Sequence, residues 1–257
     1  MTPPNRKSSD IAGQSILVVG GTRGIGRAIS LRLAHAGAKV CANYVRDQEA
    51  AAGLAAQATA EKLPIEILRA DVSIPTGIAT LAERVKTNFS PLNGLVYAAA
   101  TGTHKDLAEL TNRHFDFTFQ LNVRAFLEVV RVLAPSLAPG ASIITLSSEG
   151  AAHAIPSYGL VGASKAALES VTRQLAIELG PRGIRANVVS PGAIVTDVWK
   201  AMPDADARLQ VAASRTANGR LVTPEEVAEV VGFLCSPVSS GISGTTLIVD
   251  GGARVRG

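Results

Sequence analysis

Short apolar runs alternate with longer amphipathic stretches along most of this 257-residue chain. Runs rich in Val, Ile and Leu predict strands at 15–19, 39–43, 65–70, 94–98, 142–146, 185–189 and 246–249. Helical periodicity predicts helices at 25–36, 48–61, 78–88, 112–134, 158–179 and 224–235. Continuous apolar strands that alternate with helices are typical of a parallel sheet covered on both faces. We therefore expect an α/β fold, a single Rossmann-type doubly wound parallel sheet of about seven strands with helices on both faces.

Composition supports one domain with an anionic ligand. We expect a flexible tail at 1–12, which is polar and Pro-rich, and a single domain at 13–257 with a lid at 196–218. The net charge is +4 and the pI is near 9.3, but no Lys/Arg-rich run predicts a nucleic-acid surface. Cys41 and Cys235 stand far apart, which disfavours a disulfide framework or a metal site. Without a signal peptide or an apolar run of membrane-spanning length, the sequence predicts a cytoplasmic protein.

A glycine-rich turn follows the first predicted strand and opens the first predicted helix. It reads Gly20-Gly21-Thr22-Arg23-Gly24-Ile25-Gly26. Glycines permit a tight turn and let the backbone approach a pyrophosphate, whose charge is stabilised at the helix N-terminus. Because strand and helix flank the turn as this motif requires, we predict a dinucleotide site rather than a purely structural turn.

The end of the second strand predicts which dinucleotide binds. An NAD site usually has Asp or Glu there, whereas this chain has Asn43, followed by Tyr44 and Arg46. Arg46 and Arg23 could pair with a 2′-phosphate, which favours NADPH, although nearby Asp47 argues the other way and both arginines could be solvated. Asp71 and Val72, after the third strand, are expected to contact the adenine, unless Asp71 only caps a turn.

The fifth strand leads into candidate catalytic residues. Ser148 follows this strand, and Tyr158 and Lys165 stand at the start of the next helix. A phenol near an ammonium group can support negative charge on a substrate oxygen, because the cation favours phenolate-like character. Tyr158 could alternatively pack beside Pro156, and Ser148 could be a turn residue.

Over residues 12–253 the chain resembles the short-chain dehydrogenase/reductase family. The motifs that carry the resemblance are Gly20/Gly24/Gly26, Asp71, Leu121-Asn122-Val123, Ser148, Ala163-Ser164-Lys165-Ala166-Ala167-Leu168, Pro191-Gly192 and Val249-Asp250-Gly251-Gly252. The resemblance implies a reductase in which Asn122 assists catalysis and Lys165 also binds the nicotinamide ribose. It further implies cofactor contacts at Ala98, Pro191, Gly192, Ile194 and Thr196, and a homotetramer or homodimer joined through 112–134 and 158–179.

The departures from the family pattern are informative. The usual Tyr-x3-Lys spacing would put a tyrosine at Val161, but the nearest is Tyr158, and this Tyr-x6-Lys spacing resembles type III enoyl-acyl-carrier-protein reductases. Along a helix the wider spacing separates the two residues by roughly 10 Å instead of about 6 Å. That suits hydride addition at a β-carbon while the charge develops on a thioester oxygen. Val19 and Tyr97-Ala98 also replace polar family residues, so we expect altered local geometry there.

Three hypotheses follow for the function. The first is an NADPH-dependent reductase of enoyl thioesters in fatty-acid or related biosynthesis, the second a reductase of ketones or ketoacyl thioesters, and the third a non-catalytic dinucleotide-binding protein. Asn122 could alternatively have only a structural role, in which its side chain bonds to the backbone at a helix kink. Trp199, Met202 and Leu209 on the lid could line an acyl channel or simply pack. We expect surface or packing roles for the four histidines.

Overall fold

The computed structural model describes residues 11–195 and 205–255. Its seven strands are β1 Ser15–Val19, β2 Lys39–Tyr44, β3 Ile65–Arg69, β4 Leu92–Tyr97, β5 Leu137–Leu146, β6 Arg185–Pro191 and β7 Thr246–Val249. The helices are α1 Gly24–His35, α2 Gln48–Ala60, α3 Pro75–Asn88, α4 Asn112–Phe119, α5 Ala125–Leu133, α6 Gly159–Leu179, α7 Ala205–Arg215 and α8 Pro224–Cys235. The predicted alternation of strands and helices is confirmed.

The strands form one parallel sheet in the order β3-β2-β1-β4-β5-β6-β7. Two apolar clusters cover its two faces. Ile16 and Val18 of β1 pack towards α1 and α8, whereas Leu17 and Val19 pack towards α3, α5 and α6. This is the doubly wound arrangement predicted from the sequence. Its strand order reverses between β1 and β4, where ligands bind in such folds.

Local sequence chemistry accounts for several element boundaries. Thr223 caps α8 by accepting a hydrogen bond from the Glu226 backbone N–H, and the Glu226 carboxylate accepts one from the Thr223 N–H. Pro224 follows at the first helical position, so α8 begins where the sequence predicts. Pro75 likewise opens α3, three residues before the predicted start, because proline is tolerated there without loss of a helical hydrogen bond.

The helix predicted at 112–134 is interrupted. A π-helical turn at Gln120–Arg124 separates α4 from α5. Tyr97, at the end of β4, is 1% exposed and donates a hydrogen bond to the Leu121 carbonyl at 2.6 Å, while its ring packs on Phe126. This tyrosine therefore ties the central sheet to the π turn, which explains how the chain accommodates its departure at position 97.

The two ends of the predicted domain differ in part from expectation. The predicted tail lies mostly outside the described residues, but Ile11 is 1% exposed and belongs to the core beside α1. Within the predicted lid, residues 196–204, including Trp199 and Met202, lie outside the described residues, and α7 forms at Ala205–Arg215. Among the described residues, no helix is both long enough and apolar enough to span a membrane.

Candidate active site

The glycine turn between β1 and α1 is shaped by close backbone contacts. Gly20 has φ +78°, and a Cβ there would lie 2.8 Å from the Ala99 nitrogen. A Cβ on Gly26 would lie 2.0 Å from the Gly20 carbonyl oxygen. Only glycine fits at these positions. No side chain caps the first turn of α1, so its backbone N–H groups stay available to an anion.

A groove of about 590 Å³ lies over the carboxyl ends of β1, β2 and β4. Most of the predicted cofactor residues line it: Gly20, Thr22, Arg23, Gly24, Ile25, Gly26, Asn43, Tyr44, Arg46, Asp71, Val72 and Ala98. The structure thus brings together residues from four separate stretches of sequence. Their backbone donors, small side chains and cations fit the phosphates and ribose of a dinucleotide.

The basic edge of this groove is free to meet an anion. Arg23 and Arg46 are exposed, and within 11–195 and 205–255 neither has an ion pair or a hydrogen-bonded side-chain partner. Asp47, which could have repelled a phosphate, accepts a hydrogen bond from the Ala50 N–H and caps α2. The negative charge is therefore held by a helix N-terminus, which leaves two unpaired cations at the groove.

Two predicted groove residues are held by bonds within the protein. The Asn43 amide donates to the carbonyls of Leu68 and Ala70, so this side chain joins β2 to β3. Asp71 accepts hydrogen bonds from the backbone and the hydroxyl of Ser73, which closes a turn at the end of β3. Both residues line the groove, and both also shape its walls.

Of the remaining predicted cofactor residues, Lys165 lies on α6, Pro191 is the last residue of β6, and Gly192 and Ile194 follow it. Gly192 donates its N–H to the Val249 carbonyl, and a Cβ on it would lie 2.9 Å from the Asp250 Cβ. Pro191 and Ile194 are buried. These three residues do not line the described groove, and Thr196 lies outside the described residues.

The catalytic candidates meet beside the end of β5. The Tyr158 hydroxyl donates a hydrogen bond to Ser148 Oγ at 3.2 Å, and Ser148 in turn accepts from the Gly150 N–H. A Cβ on Gly150 would lie 2.5 Å from the Tyr158 ring, so the ring needs glycine beneath it. The half-buried phenol is therefore directed towards Ser148 and not outward to solvent.

Lys165 is the seventh residue of α6 and is 5% exposed. Its ammonium group donates to the Leu146 carbonyl at 2.7 Å, which leaves two of its three donors for a ligand. Burial lowers the pKa of Lys165 to about 8. Burial also raises the pKa of Tyr158, and the hydrogen bond with Ser148 offsets that rise only in part. Desolvation therefore outweighs this hydrogen bond and favours the protonated phenol, which is the proton-donating form.

The side chain at the family's usual tyrosine position is packed away. Val161 is 5% exposed, and a Cβ on Gly102 would lie 2.2 Å from its Cγ2. Tyr158 is consequently the phenol that this structure offers near Ser148.

Asn122 lies in the π turn and is fully buried. Its amide accepts from the Thr101 N–H and donates to the Thr101 carbonyl and to Ser164 Oγ. The side chain therefore joins the loop after β4 to α6, within the elements that carry the other candidates.

A second cavity, of about 440 Å³, opens beside Tyr158. It is lined by Lys105, Asp106, Leu107, Gly150, His153, Ala154, Ile155, Ser157, Tyr158 and Gly159. Leu209, which was predicted to lie on a lid, is a half-buried residue of α7 and is not part of this lining. An apolar cavity beside a phenol is suited to an organic substrate.

Sequence reasoning missed several residues of these sites. Thr101, Phe117, Gln120 and Leu121 line the dinucleotide groove, and Gly150 supports the Tyr158 ring. Thr101 follows the end of β4, and that position is a usable signal because parallel strands present their carboxyl ends to ligands. Phe117 and Gln120 gave no signal, since the segment reads as an uninterrupted amphipathic helix.

Comparison with known proteins identifies the family. The sequence model of the family described as "Enoyl-(Acyl carrier protein) reductase" matches residues 19–254, nearly the whole chain. The chain belongs to the short-chain dehydrogenase/reductase family. It is an oxidoreductase of that family, which binds a nicotinamide dinucleotide and acts on small-molecule substrates.

Individual relatives of this short-chain dehydrogenase/reductase are similar over more than nine tenths of their length. The 1-cyclohexenylcarbonyl-CoA reductase of Streptomyces collinus is 30% identical, over 99% of this chain and 92% of that protein. Versicolorin reductase 1 of Aspergillus parasiticus is 33% identical, over 94% and 96%. A solved short-chain dehydrogenase from Burkholderia cenocepacia J2315, in complex with NADP, has a TM-score of 0.88 and 36% identity, over 95% of this chain and 99% of that one.

Proposed function

We propose that this protein is an NADPH-dependent reductase that saturates the α,β double bond of an enoyl thioester. The observation that carries the proposal is the position of Tyr158. Its hydroxyl reaches Ser148, while position 161 is filled by a valine packed against Gly102. The phenol stands seven residues before Lys165, and this wide spacing supports a phenol that contacts an oxygen two carbons away from the carbon that receives the hydride.

The choice of NADPH rests on the groove. Arg23 and Arg46 are unpaired cations at its edge, Asp47 is engaged as a helix cap, and no carboxylate ends β2. A 2′-phosphate would gain charge-assisted hydrogen bonds from such arginines. The similar Burkholderia enzyme in complex with NADP supports the same choice.

In the reaction, bound NADPH would supply a hydride to the β-carbon. The electron pair of the double bond would move onto the thioester oxygen, where Tyr158 would stabilise it by hydrogen-bond donation. Ser148 accepts from Tyr158 in this structure and, because a hydroxyl both donates and accepts, it could then donate to the phenol oxygen or to the substrate. A proton from solvent would complete the saturated product at the α-carbon.

The other candidate residues would support Tyr158 and Ser148. Lys165 would hold the nicotinamide ribose with its two free donors, and its charge would favour the developing anion. Asn122 would act through the loop that it anchors at Thr101. Pro191, Gly192, Ile194 and Thr196 would border the nicotinamide. We also infer a lid at 196–218 and assembly as a homotetramer or homodimer from the family resemblance.

The name of one relative points to the same substrate class. A 1-cyclohexenylcarbonyl thioester carries its double bond next to the thioester carbonyl, so it is an α,β-unsaturated thioester. A cavity of about 440 Å³ beside Tyr158 is within the size range of small-molecule sites.

The test is a set of NADPH-oxidation assays with crotonyl, 1-cyclohexenylcarbonyl and acetoacetyl thioesters, with products identified by mass spectrometry. We expect saturated acyl thioesters from the first two. In Tyr158→Phe we expect kcat to fall about 100-fold or more, because a positioned proton donor contributes at least that factor. Tyr97→Phe, which removes a phenol outside the cavity and the groove, is the matched control.

Two outcomes would contradict this assignment. Reduction of the acetoacetyl thioester alone would establish the carbonyl-reductase alternative, which relatives such as versicolorin reductase make reasonable. Tight NADPH binding without turnover of any substrate would indicate a non-catalytic dinucleotide-binding protein.

A further inference from the structure

The loop after β4 lies along the first turn of α6, beside the candidate catalytic residue Tyr158. We call residues 101–107 the β4 loop. Its Gly102 contacts Val161, and its Leu107 contacts Gly159, since a Cβ on Gly159 would lie 2.8 Å from Leu107 Cδ2. Neither the family motifs nor the proposed reaction assigns a role to this contact.

The β4 loop is anchored at both ends. At one end Thr101 exchanges two hydrogen bonds with the Asn122 amide. At the other end Asp106 accepts a hydrogen bond from Ser157 Oγ at 2.9 Å. Between these anchors, the ring of His104 lies on the ring of Tyr158, with centroids 5.4 Å apart and planes inclined by 32°.

Tyr158 needs such support because α6 holds only its backbone, through the hydrogen bond that the Gly162 N–H donates to the Tyr158 carbonyl. It precedes the first residue of α6 and has no capping hydrogen bond from its side chain. Ser157, just before it, has φ +58°, a left-handed conformation that is costly for a residue with a side chain. The ring is therefore placed by its neighbours: Gly150 beneath one side, and His104 in contact with the ring.

We propose that His104 is a positioning residue for Tyr158. Its ring, held in place by the anchored β4 loop, fixes the phenol at the angle from which the hydroxyl meets Ser148 and the substrate oxygen. The inference rests on the proposed role of Tyr158 but not on which oxygen the phenol contacts. It assigns no proton transfer to His104.

The surroundings of His104 are consistent with ring packing. His104 is exposed overall, but its partial burial lowers the pKa of the imidazole, which favours the neutral ring. Aromatic pairs at this separation favour defined relative orientations. Replacing the ring by another flat ring should therefore preserve the effect, whereas removing it should not.

The first test compares His104→Ala with His104→Phe, and uses His35→Ala as a matched histidine control because His35 lies on the surface and pairs with Glu61. We expect kcat to fall about 10- to 100-fold in His104→Ala, since a shift of about 1 Å in a catalytic group can cost 100-fold. We expect KM for NADPH to stay within about twofold. His104→Phe should retain most of kcat.

The second test does not depend on turnover. The chain has three tyrosines, so incorporated 3-fluorotyrosine gives three ¹⁹F resonances, and Tyr158→Phe identifies that of Tyr158. We expect this resonance to move towards the solvent-exposed value or broaden in His104→Ala, and to remain dispersed in His104→Phe and His35→Ala.

An unchanged Tyr158 resonance in folded His104→Ala would overturn the positioning role. So would equal losses of kcat in His104→Phe and His104→Ala, because the imidazole itself, and not ring packing, would then be needed. If the wild type reduces ketones and not enoyl thioesters, the proposed function fails, yet the ¹⁹F comparison still decides the role of His104.

Discussion

The dinucleotide groove lies at the same edge of the sheet as the candidate catalytic residues Ser148, Tyr158 and Lys165, which we call the catalytic corner. The two regions are built differently. The groove is formed mainly by backbone and glycine, with Gly20 and Gly26 admitting no Cβ and with Arg23 and Arg46 left unpaired. In the corner, by contrast, the functional side chains already bond within the protein: Tyr158 to Ser148, and Lys165 to the Leu146 carbonyl.

This difference indicates how each region works. A groove with open donors and cations can bind charged phosphates of any dinucleotide of matching shape, so changes there should act through shape and charge. A corner whose side chains are held in advance orients reacting groups, so changes there should act on kcat. The contrast can be tested with substitutions that separate binding from chemistry.

The largest effect is expected in the corner, at Lys165. Lys165→Met removes a buried ammonium and should lower kcat by two to three orders of magnitude, the range typical of acid–base groups. Because burial lowers the pKa of Lys165 to about 8, the charged form dominates below that pH and is lost above it. The wild-type kcat/KM should therefore fall as pH rises through about 8. Steady-state kinetics between about pH 6 and 10 measure both effects.

Lys86→Met, on the exposed side of α3, is the control for this change. A wild-type kcat/KM that stays flat through pH 8, or a kcat in Lys165→Met close to wild type, would show that the corner does not use this charge.

The next largest effect is expected in the groove, from a single methyl group. In Gly26→Ala the new Cβ would lie 2.0 Å from the Gly20 carbonyl oxygen, so the turn must move. We expect the Kd for NADPH to rise at least about 30-fold, roughly 2 kcal/mol, with a lower melting temperature. Fluorescence titration and thermal melts measure the two.

Gly53→Ala provides the matched control. A Cβ at Gly53, in the middle of α2, meets nothing within 4 Å. We expect it to stabilise the protein by about 0.5–1 kcal/mol, because alanine loses less backbone entropy in a helix. If Gly26→Ala behaved like Gly53→Ala, the groove would not be limited by backbone shape.

A smaller effect is expected from removing a charge in the groove without changing the shape of its backbone. Arg46→Gln should raise the Kd for NADPH about tenfold and leave that for NADH within about twofold, since only NADPH carries a 2′-phosphate. The difference should shrink at high salt because the arginine is exposed. Titrations at low and high ionic strength, with Lys86→Gln as the charge control, measure this. An equal rise in the Kd for NADPH and for NADH would show that Arg46 does not bind the 2′-phosphate.

The smallest effect should lie outside both regions. Tyr97→Phe removes the hydrogen bond to the Leu121 carbonyl and should cost about 1 kcal/mol, or roughly 2–4 °C in melting temperature. NADPH affinity should change little, because Tyr97 is buried beneath the groove and does not line it. Calorimetry of this variant against wild type measures the loss. A large drop in affinity instead would mean that the π turn controls the groove.

The regularities of the chain were sufficient to predict the sheet and most of its helices, although not the interruption of the helix predicted at 112–134. β1, β7 and α8 begin and end at the predicted residues, because strand periodicity, caps and prolines act within a few residues of where they stand. The start of the helix that carries Lys165 was also predicted to within one residue, since α6 begins at Gly159 and Tyr158 precedes it.

Tertiary structure decided the features that depend on distant segments. The π turn bonded to Tyr97, the β4 loop packed on Tyr158, and the Asn43 amide shared between strands each require partners more than twenty residues away. Periodicity carries no information about such contacts, since they exist only once the sheet has brought the segments together. The local sequence therefore determined the fold and the position of the glycine turn, and packing determined how the Tyr158 phenol is held.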